Sequence, residues 1–120
     1  MNWYITRIVY RIICGKGEHT PQFDEQLRLV YASGKEEAFY KAREVGRQEE
    51  EVFENNKKEM VKWQFINVTD IYKISEMIDG AEVYSKIEER EYADAYIDMI
   101  HKKAENIFIN HSTQQLLGLV

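Results

Sequence analysis

The chain has few of the residues that mark special classes of protein. Cys14 is the single cysteine among 120 residues, so no disulfide can form within the chain, which is typical of a reducing compartment. One proline and six glycines leave no stretch with the composition of a linker. No segment approaches the roughly 20 apolar residues that span a bilayer, and Met1–Arg7 lacks the apolar run of a secretory signal. These absences predict a cytoplasmic protein without a membrane segment.

The remaining composition is that of a globular protein, with 44% hydrophobic and 31% charged residues. The net charge of -5 argues against a broad attraction to nucleic acid or to an anionic membrane. Basic residues do stand among aromatic ones in the predicted strands, a pattern that could stack single-stranded RNA bases. No RNA-binding signature motif accompanies them, so nucleic acid is not the expected partner.

The first segment, Trp3–Cys14, predicts a long β-strand because it is rich in β-branched and aromatic residues and contains no helix breaker. Its apolar side chains fall on both faces: Ile8 and Tyr10 share one face, and Ile5 and Val9 share the other. A strand with one face in water alternates apolar and polar residues. The segment therefore predicts that both faces of this strand are covered.

The next elements predict a hairpin followed by a helix. Glycines and the proline cluster in residues 15–22, which marks a loop, and Asp24–Ala32 has the period-two pattern of an antiparallel partner. Ser33 and Glu36 have the spacing of a capping box. Apolar residues at steps of three and four then predict a helix over Lys35–Asn55.

The same order of elements is repeated in the second half. Val61–Ile74 predicts a long strand, Ala81–Glu88 alternates like a half-buried strand, and Glu91–Ile107 has the apolar stripe of a helix. We therefore predict a single α+β domain over residues 1–107. The C-terminal tail, residues 108–120, is expected to fray or to dock as a short helix.

The predicted fold is a four-stranded, mostly antiparallel sheet with two helices on one face, in the element order β-β-α-β-β-α. The stronger hydrophobicity of the first and third strands favours these two at the centre of the sheet, although a permuted ferredoxin-like order would place the second and fourth there. Two helices cover one face only, so the second face needs another cover. We expect a homodimer, with the tail or a ligand as the alternative cover.

Glu49 is the candidate catalytic residue. On the predicted helix it projects into the apolar stripe near Ala42 and Val45, where a carboxylate would face the sheet. A buried carboxylate is costly unless it is paired or protonated, and the candidate partners are Arg7, Arg11, Lys62 or a tyrosine hydroxyl. The arrangement predicts a paired interior ion, a helix turned so that Glu49 reaches the rim of the sheet, or a general acid or base with a raised pKa.

The loop after the first strand gathers other reactive groups. Cys14 and His19 could form a thiolate and base pair, but a lone cysteine after an apolar strand is more often a small buried hydrophobe. The candidate ligand-binding residues are His19, Asp24, Glu25 and Glu82. The three histidines have no ligand spacing with one another or with the cysteine, so we predict neither a metal nor a cofactor.

Several blocks of sequence resemble a known family. They are Ile12–Gly15 running into His19–Leu29, then Trp63–Val68 and Asp79–Ser85. With these blocks the chain resembles a bacterial family named only as domain of unknown function 4288, over Trp3–Ile107. Lys16 departs from the acidic residue expected between the two glycines. The resemblance implies one compact bacterial domain and brings no catalytic residue, cofactor or substrate.

Together these observations favour a small, non-enzymatic binding or regulatory module that forms a homodimer through its sheet and binds a small molecule or another protein. The alternative is an enzyme that uses Glu49 in a cleft between sheet and helix. A deep polar pocket at Glu49 would favour the enzyme, and a flat apolar patch would favour the module.

Overall fold

A computed structural model describes the backbone of residues 1–116 and the surroundings of the side chains of residues 1–109. The elements are, in chain order, β1 (Asn2–Cys14), β2 (Gln22–Ala32), α1 (Lys35–Gln48), β3 (Glu51–Glu54), β4 (Met60–Ile74) and α2 (Ala93–Leu116). The predicted α+β class and the order strand, strand, helix, repeated once, are confirmed.

The four strands form one antiparallel sheet in the order β2-β1-β4-β3. The two long apolar strands, β1 and β4, lie at the centre, as their hydrophobicity predicted. In the register, Trp3 lies opposite Tyr31 of β2 and opposite Ile74 of β4. Two register shifts between β1 and β4, at Arg7/Ile8 and at Val9/Tyr10, mark β-bulges near the middle of these strands.

The predicted end of the first helix is wrong. Helix α1 ends at Gln48 instead of Asn55, and Glu51–Glu54 is an edge strand that pairs with the start of β4. The turn between β3 and β4 is held by the side-chain oxygen of Asn55, which accepts the backbone N–H groups of Lys57 and Glu59 at 2.9 and 3.0 Å. Pairing across a tight turn stabilises this hairpin, whereas a continued helix would lose those contacts.

The strand predicted over Ala81–Glu88 is also wrong, because this segment contains no strand. Both neighbours of β1 and β4 are already taken, and the free edges belong to β2 and β3. The alternating residues do not mark a buried face, since Val83 is 45% exposed and Ile87 is 96% exposed.

Helix α1 packs on the face of β1 that carries Tyr4, Ile8 and Tyr10. Its contact side consists of small residues, including Ala38 and Ala42, which let the helix approach the sheet closely. The buried cluster consists of Tyr4, Ile8, Tyr10, Val30, Ala32, Ala38, Ala42 and Val68. Full burial of each large apolar side chain contributes roughly 1.5 to 3 kcal/mol, so this cluster is the main source of stability.

The start of α1 differs by one residue from the predicted capping box. The N-cap is Gly34, and Ser33 binds the side chain of Glu37 instead of Glu36. The backbone N–H of Ser33 donates to Glu37 Oε2 at 3.2 Å, and its hydroxyl donates to the same oxygen. The helix therefore begins at Lys35 as predicted.

Contacts divide the chain into two compact units, Met1–Ser85 and Lys86–Val120. The second unit contains α2, which continues to Leu116 and so passes the predicted end at Ile107. The predictions of one domain over residues 1–107 and of α2 on the same face as α1 remain predictions. The prediction for the tail concerns residues 108–120, of which residues 117–120 lie outside the described part of the chain. No helix within residues 1–116 combines the length and the apolar character needed to cross a membrane.

Candidate functional site

Glu49 lies just beyond the end of α1 and not in the interior. It is the C-cap residue, and its backbone N–H donates to the carbonyl of Val45 at 3.1 Å. Its side chain is 52% exposed, and its carboxylate lies 3.7 Å from the Arg28 guanidinium. The predicted burial of Glu49 against the sheet is wrong, because the chain leaves the helix before this residue.

A small cavity of about 110 Å³ lies beside Glu49. Its lining consists of Tyr10, Gln26, Arg28, Glu49, Glu51 and Trp63. Pockets for drug-sized ligands have volumes of roughly 300 to 1,000 Å³, whereas this cavity has room for a few water molecules of about 30 Å³ each. It is therefore too small to be a substrate cleft for anything beyond a very small molecule.

Tyr10 joins the end of α1 to the sheet beside this cavity. Its side chain is 1% exposed, and its hydroxyl donates to the carbonyl of Gly46 at 2.6 Å. Burial raises the pKa of the Tyr10 phenol, so the hydroxyl remains a donor at neutral pH. The ring contacts Trp63 and Phe65, each with a centroid distance of 6.0 Å. These contacts indicate a structural role.

Three polar side chains form a row on β2, on the face that carries α1. In this polar row, Gln26 Nε2 donates to Asp24 Oδ2 at 2.7 Å, and Arg28 donates to Gln26 Oε1 through Nε and Nη2 at 3.0 and 2.8 Å. The buried hydroxyl of Thr6 donates to the carbonyl of Arg28 at 3.0 Å. The row thus has a negative end at Asp24 and a positive end at Arg28.

Arg7 lies on the opposite face of the sheet, within a second polar cluster. Its Nε donates to Asp70 Oδ2 at 2.8 Å, and its Nη1 donates to Glu25 Oε2 at 3.2 Å. The hydroxyl of Tyr72 donates to Asp70 Oδ1 at 3.2 Å. The guanidinium also lies 5.9 Å from the ring centre of Tyr84, within the range of a cation-π interaction. Arg7 is therefore occupied by groups other than Glu49.

The pKa of the Asp70 carboxyl lies below its ordinary value. The hydroxyl of Thr69 donates to Asp70 Oδ2 at 2.9 Å and is the main cause, and the hydrogen bonds from Arg7 and Tyr72 add to it. A lowered pKa means that the ionised carboxylate is more favourable in the folded state than in the unfolded state. Asp70 thus stabilises the fold only while it is ionised.

We expect that lowering the pH reduces the free energy of unfolding of the wild-type protein more than that of the variant Asp70→Asn. The stability from Asp70 is present above the unfolded pKa of about 3.9 and is lost as the pH falls through the lower, folded pKa. Urea unfolding at a series of pH values between 7 and 2 measures this. Thr69→Val removes the hydrogen bond that lowers the pKa of Asp70 most, so its unfolding free energy is expected to depend less steeply on pH than that of the wild type. Identical profiles for the wild type and Asp70→Asn would contradict the assignment.

Arg11 also lies away from Glu49. It shares the face of Arg7, because residues 7 and 11 alternate with the side chains that α1 covers. Its Nε is buried and has no hydrogen-bond partner in the described part of the chain. The structure therefore does not bring Glu49 together with Arg7 or Arg11, and the partner of Glu49 is Arg28.

The loop after β1 borders an open cleft of about 840 Å³. The cleft residues are Cys14, Gly15, Lys16, Glu18, His19, Thr20, Gln22, Asn55, Asn56, Lys57 and Glu59. His19 Nε2 accepts the backbone N–H of Cys14 at 3.0 Å, and Nδ1 donates to the carbonyl of Thr20 at 2.8 Å. Both imidazole nitrogens are engaged by backbone groups of the loop, so neither is directed at the Cys14 thiol.

The other predicted ligand-binding residues do not meet at one place. Asp24 and Glu25 are neighbours on β2 and point to opposite faces of the sheet. Glu82 lies in the irregular segment after β4. Across the described residues, no group of three or more histidine, cysteine or acidic side chains could hold a metal ion.

An apolar stripe lies on the outer face of β2. This β2 stripe consists of Phe23, Leu27, Leu29 and Tyr31, whose side chains are 43 to 59% exposed. Trp3 of β1 extends it, because its ring packs on Tyr31 with a centroid distance of 4.9 Å. An exposed row of large apolar residues on one strand is typical of an interaction surface.

The irregular segment after β4 covers another part of this second face. Tyr84 packs against Tyr72 with a centroid distance of 5.2 Å and lies beside Arg7. The cover over β1 and β4 therefore comes from the same unit, and the β2 stripe is left open. The sequence shows the alternation of residues in β2, but it does not show that the face with the apolar side chains is the exposed one.

A comparison of the sequence with models of protein families finds one matching family. The model named Domain of unknown function (DUF4288) matches residues 3–85. This range coincides with the first unit, Met1–Ser85, and is shorter than the predicted range to Ile107. Comparison with curated proteins and with solved structures finds no significant match. The chain belongs to the family described as Domain of unknown function (DUF4288).

Proposed function

We propose that the protein is a small, non-enzymatic binding module of the bacterial cytoplasm that associates with a second copy of itself through its sheet. The observation that carries the proposal is the β2 stripe, four large apolar side chains that are left exposed on one strand. Monomeric proteins rarely expose a continuous apolar patch of this kind without a binding role.

The surroundings of Glu49 support a binding module over an enzyme. Glu49 is half exposed and paired with Arg28, and the adjoining cavity of about 110 Å³ is smaller than the pockets of roughly 300 to 1,000 Å³ that hold drug-sized ligands. A half-exposed carboxylate paired with a guanidinium lacks the buried, water-excluded setting in which a side chain acts as a general acid or base. The apolar β2 stripe, on the opposite face of the sheet, fits recognition of another protein surface.

The variant Leu29→Lys tests the proposed association. A charge in the middle of the β2 stripe replaces an apolar side chain on the surface proposed to pair, so we expect the dissociation constant of the dimer to rise tenfold or more. Sedimentation velocity at micromolar concentrations measures it. Val52→Lys is the matched control, since Val52 is similarly exposed but lies on the other edge strand, β3.

A wild-type protein that sediments as a monomer at these concentrations would overturn the proposal. Equal weakening by Leu29→Lys and Val52→Lys would also overturn it, because the effect would then not belong to the β2 stripe. Far-ultraviolet circular dichroism of both variants establishes that each one is folded.

A further inference from the structure

β2 is an edge strand with an open backbone edge along 11 residues. Within residues 1–116 its strand neighbour is β1, so the backbone groups on its outer side have no strand to pair with. The β1–β2 pairing contains no register shift, and the strand contains no proline. Bulges, prolines and charges are the usual protection of an edge against pairing with another chain. β2 lacks the first two of them.

Two of the three charged residues of β2, Asp24 and Arg28, are arranged symmetrically about one residue. Asp24 lies two positions before Gln26 and Arg28 lies two positions after it, all on the face that carries α1. A strand of this kind is complementary to a reversed copy of itself. Opposite charges placed directly across an antiparallel pair stabilise it, and like charges destabilise it.

We propose that two copies of this chain pair their β2 strands edge to edge and antiparallel, with Gln26 opposite Gln26 of the second copy. Asp24 then lies opposite Arg28 of the second copy, and the same contact is repeated by the two-fold symmetry. The two four-stranded sheets become one sheet with both α1 helices on the same face. This inference rests on the proposed function and specifies its geometry.

Only this register pairs the charges. Moving the centre of symmetry to Leu27 places Asp24 opposite Val30, and moving it to Glu25 places Asp24 opposite Gln26. In the described part of the chain, the guanidinium of Arg28 uses Nε and Nη2 for its partners. Its Nη1 is thus left for a carboxylate from the second copy.

The same register also joins the apolar side chains of the opposite face. Phe23 lies opposite Leu29 of the second copy, again twice by symmetry. The two β2 stripes then lie side by side across the dimer, and Glu25 of each copy lies opposite Leu27 of the other. Aromatic and aliphatic cross-strand neighbours of this kind pack favourably on a sheet.

Stacking the second faces of two sheets fits the structure less well. Tyr84 and its segment already lie over Arg7 and Tyr72 on that face. Glu25, paired with Arg7 and 62% exposed, would be buried in such a contact. Burial of a charge removes its hydration and is compensated only by excellent pairing. Edge pairing leaves Glu25 in solvent.

Charge reversal tests the register. Asp24→Arg alone places two guanidinium groups opposite each other at both symmetric contacts, and Arg28→Asp alone does the same with two carboxylates. We expect each variant to raise the dissociation constant of its homodimer by tenfold or more. An equimolar mixture of the two variants restores opposite charges at both contacts, so the mixed dimer is expected to form with nearly wild-type affinity.

The measurement is sedimentation velocity, with one variant carrying a fluorescent label. Glu44→Arg and Arg47→Asp are the controls, since they make the same charge changes on exposed residues of α1. The controls are expected to dimerise like the wild type. If both single variants dimerise normally, or if their mixture forms no mixed dimer, the edge register is overturned. Loss of the dimer in Leu29→Lys would then still support the proposed function.

A crosslink provides a second test that needs no change of charge. Directly opposed residues of antiparallel strands have Cα atoms about 4.5 to 5.5 Å apart, within the range of a disulfide. In a Cys14→Ser background, Gln26→Cys is therefore expected to form a covalent dimer under mild oxidation with oxidised glutathione. Gln22→Cys is the matched control, because it lies opposite Val30 of the second copy. Equal crosslinking at both positions, or none at position 26, would overturn the register.

Discussion

Gly46→Val is expected to lower the free energy of unfolding by about 3 kcal/mol. A Cβ atom on Gly46 would lie 2.4 Å from the Phe65 ring, far inside van der Waals contact. Overpacking of this kind costs typically about 1 to 3 kcal/mol, and the displaced carbonyl would also weaken its hydrogen bond with Tyr10. The better helix propensity of valine returns only about 0.5 kcal/mol.

Urea unfolding monitored by circular dichroism measures the effect. Gly34→Val is the matched control, because no atom lies within 4 Å of its Cβ position and its backbone is extended. We expect a loss well under that of Gly46→Val. Phe65→Ala in the Gly46→Val background should recover part of the loss in a double-mutant cycle, since it removes the obstructing ring. Additive losses would show that the two side chains do not meet.

Tyr10→Ala is expected to destabilise the protein by about 4 kcal/mol, as other deletions of buried aromatic rings do. The ring of Tyr10 is almost fully buried and packs against both Trp63 and Phe65. Deleting it leaves a cavity where α1 meets the sheet. The midpoint of thermal or urea unfolding, compared with the wild type, gives the size of the loss.

Tyr10→Phe separates the hydroxyl from the ring. It keeps the packing and removes only the donor to the Gly46 carbonyl, so we expect a loss of about 1 to 2 kcal/mol, the usual effect of leaving a buried acceptor without its partner. A Tyr10→Phe variant as stable as the wild type would show that this hydrogen bond does not contribute to the stability of the fold. A variant as unstable as Tyr10→Ala would show that the hydroxyl, and not the ring, determines the stability.

The central strands of the sheet could be predicted because their residues are strongly biased. Trp3–Cys14 and Val61–Ile74 are long, rich in β-branched and aromatic residues, and apolar on both faces. A strand of this composition is stable only with neighbours on both sides and cover on both faces. The observed positions of β1 and β4 meet the first condition, and α1 together with the Tyr84 segment meets much of the second.

The short strand β3 could not be predicted from its own residues. Val52 and Phe53 continue the three and four residue spacing of α1, so the local pattern favours a longer helix. What decides between helix and strand is pairing with Met60–Trp63 across a tight turn. Such tertiary contacts outweigh the small differences in helix propensity among these residues.

The candidate site shows the same limit. The prediction for Glu49 depended on the helical phase of one residue, and the end of α1 at Gln48 changed its surroundings from apolar interior to half-exposed surface. The partner, Arg28, was visible as a basic residue on β2, but nothing in the sequence placed it near the C-terminus of α1. Side-chain partners across elements depend on packing, which single-residue patterns do not contain.

The two edges of the sheet differ in length, and this difference limits how many copies can join. The edge at β2 offers 11 residues, whereas the edge at β3 offers four, two of which are the glutamates at its ends. A chain with two equal open edges could add copies at either side and grow into a fibre. With one long edge and one short, acidic edge, the proposed edge pairing is expected to stop at two copies.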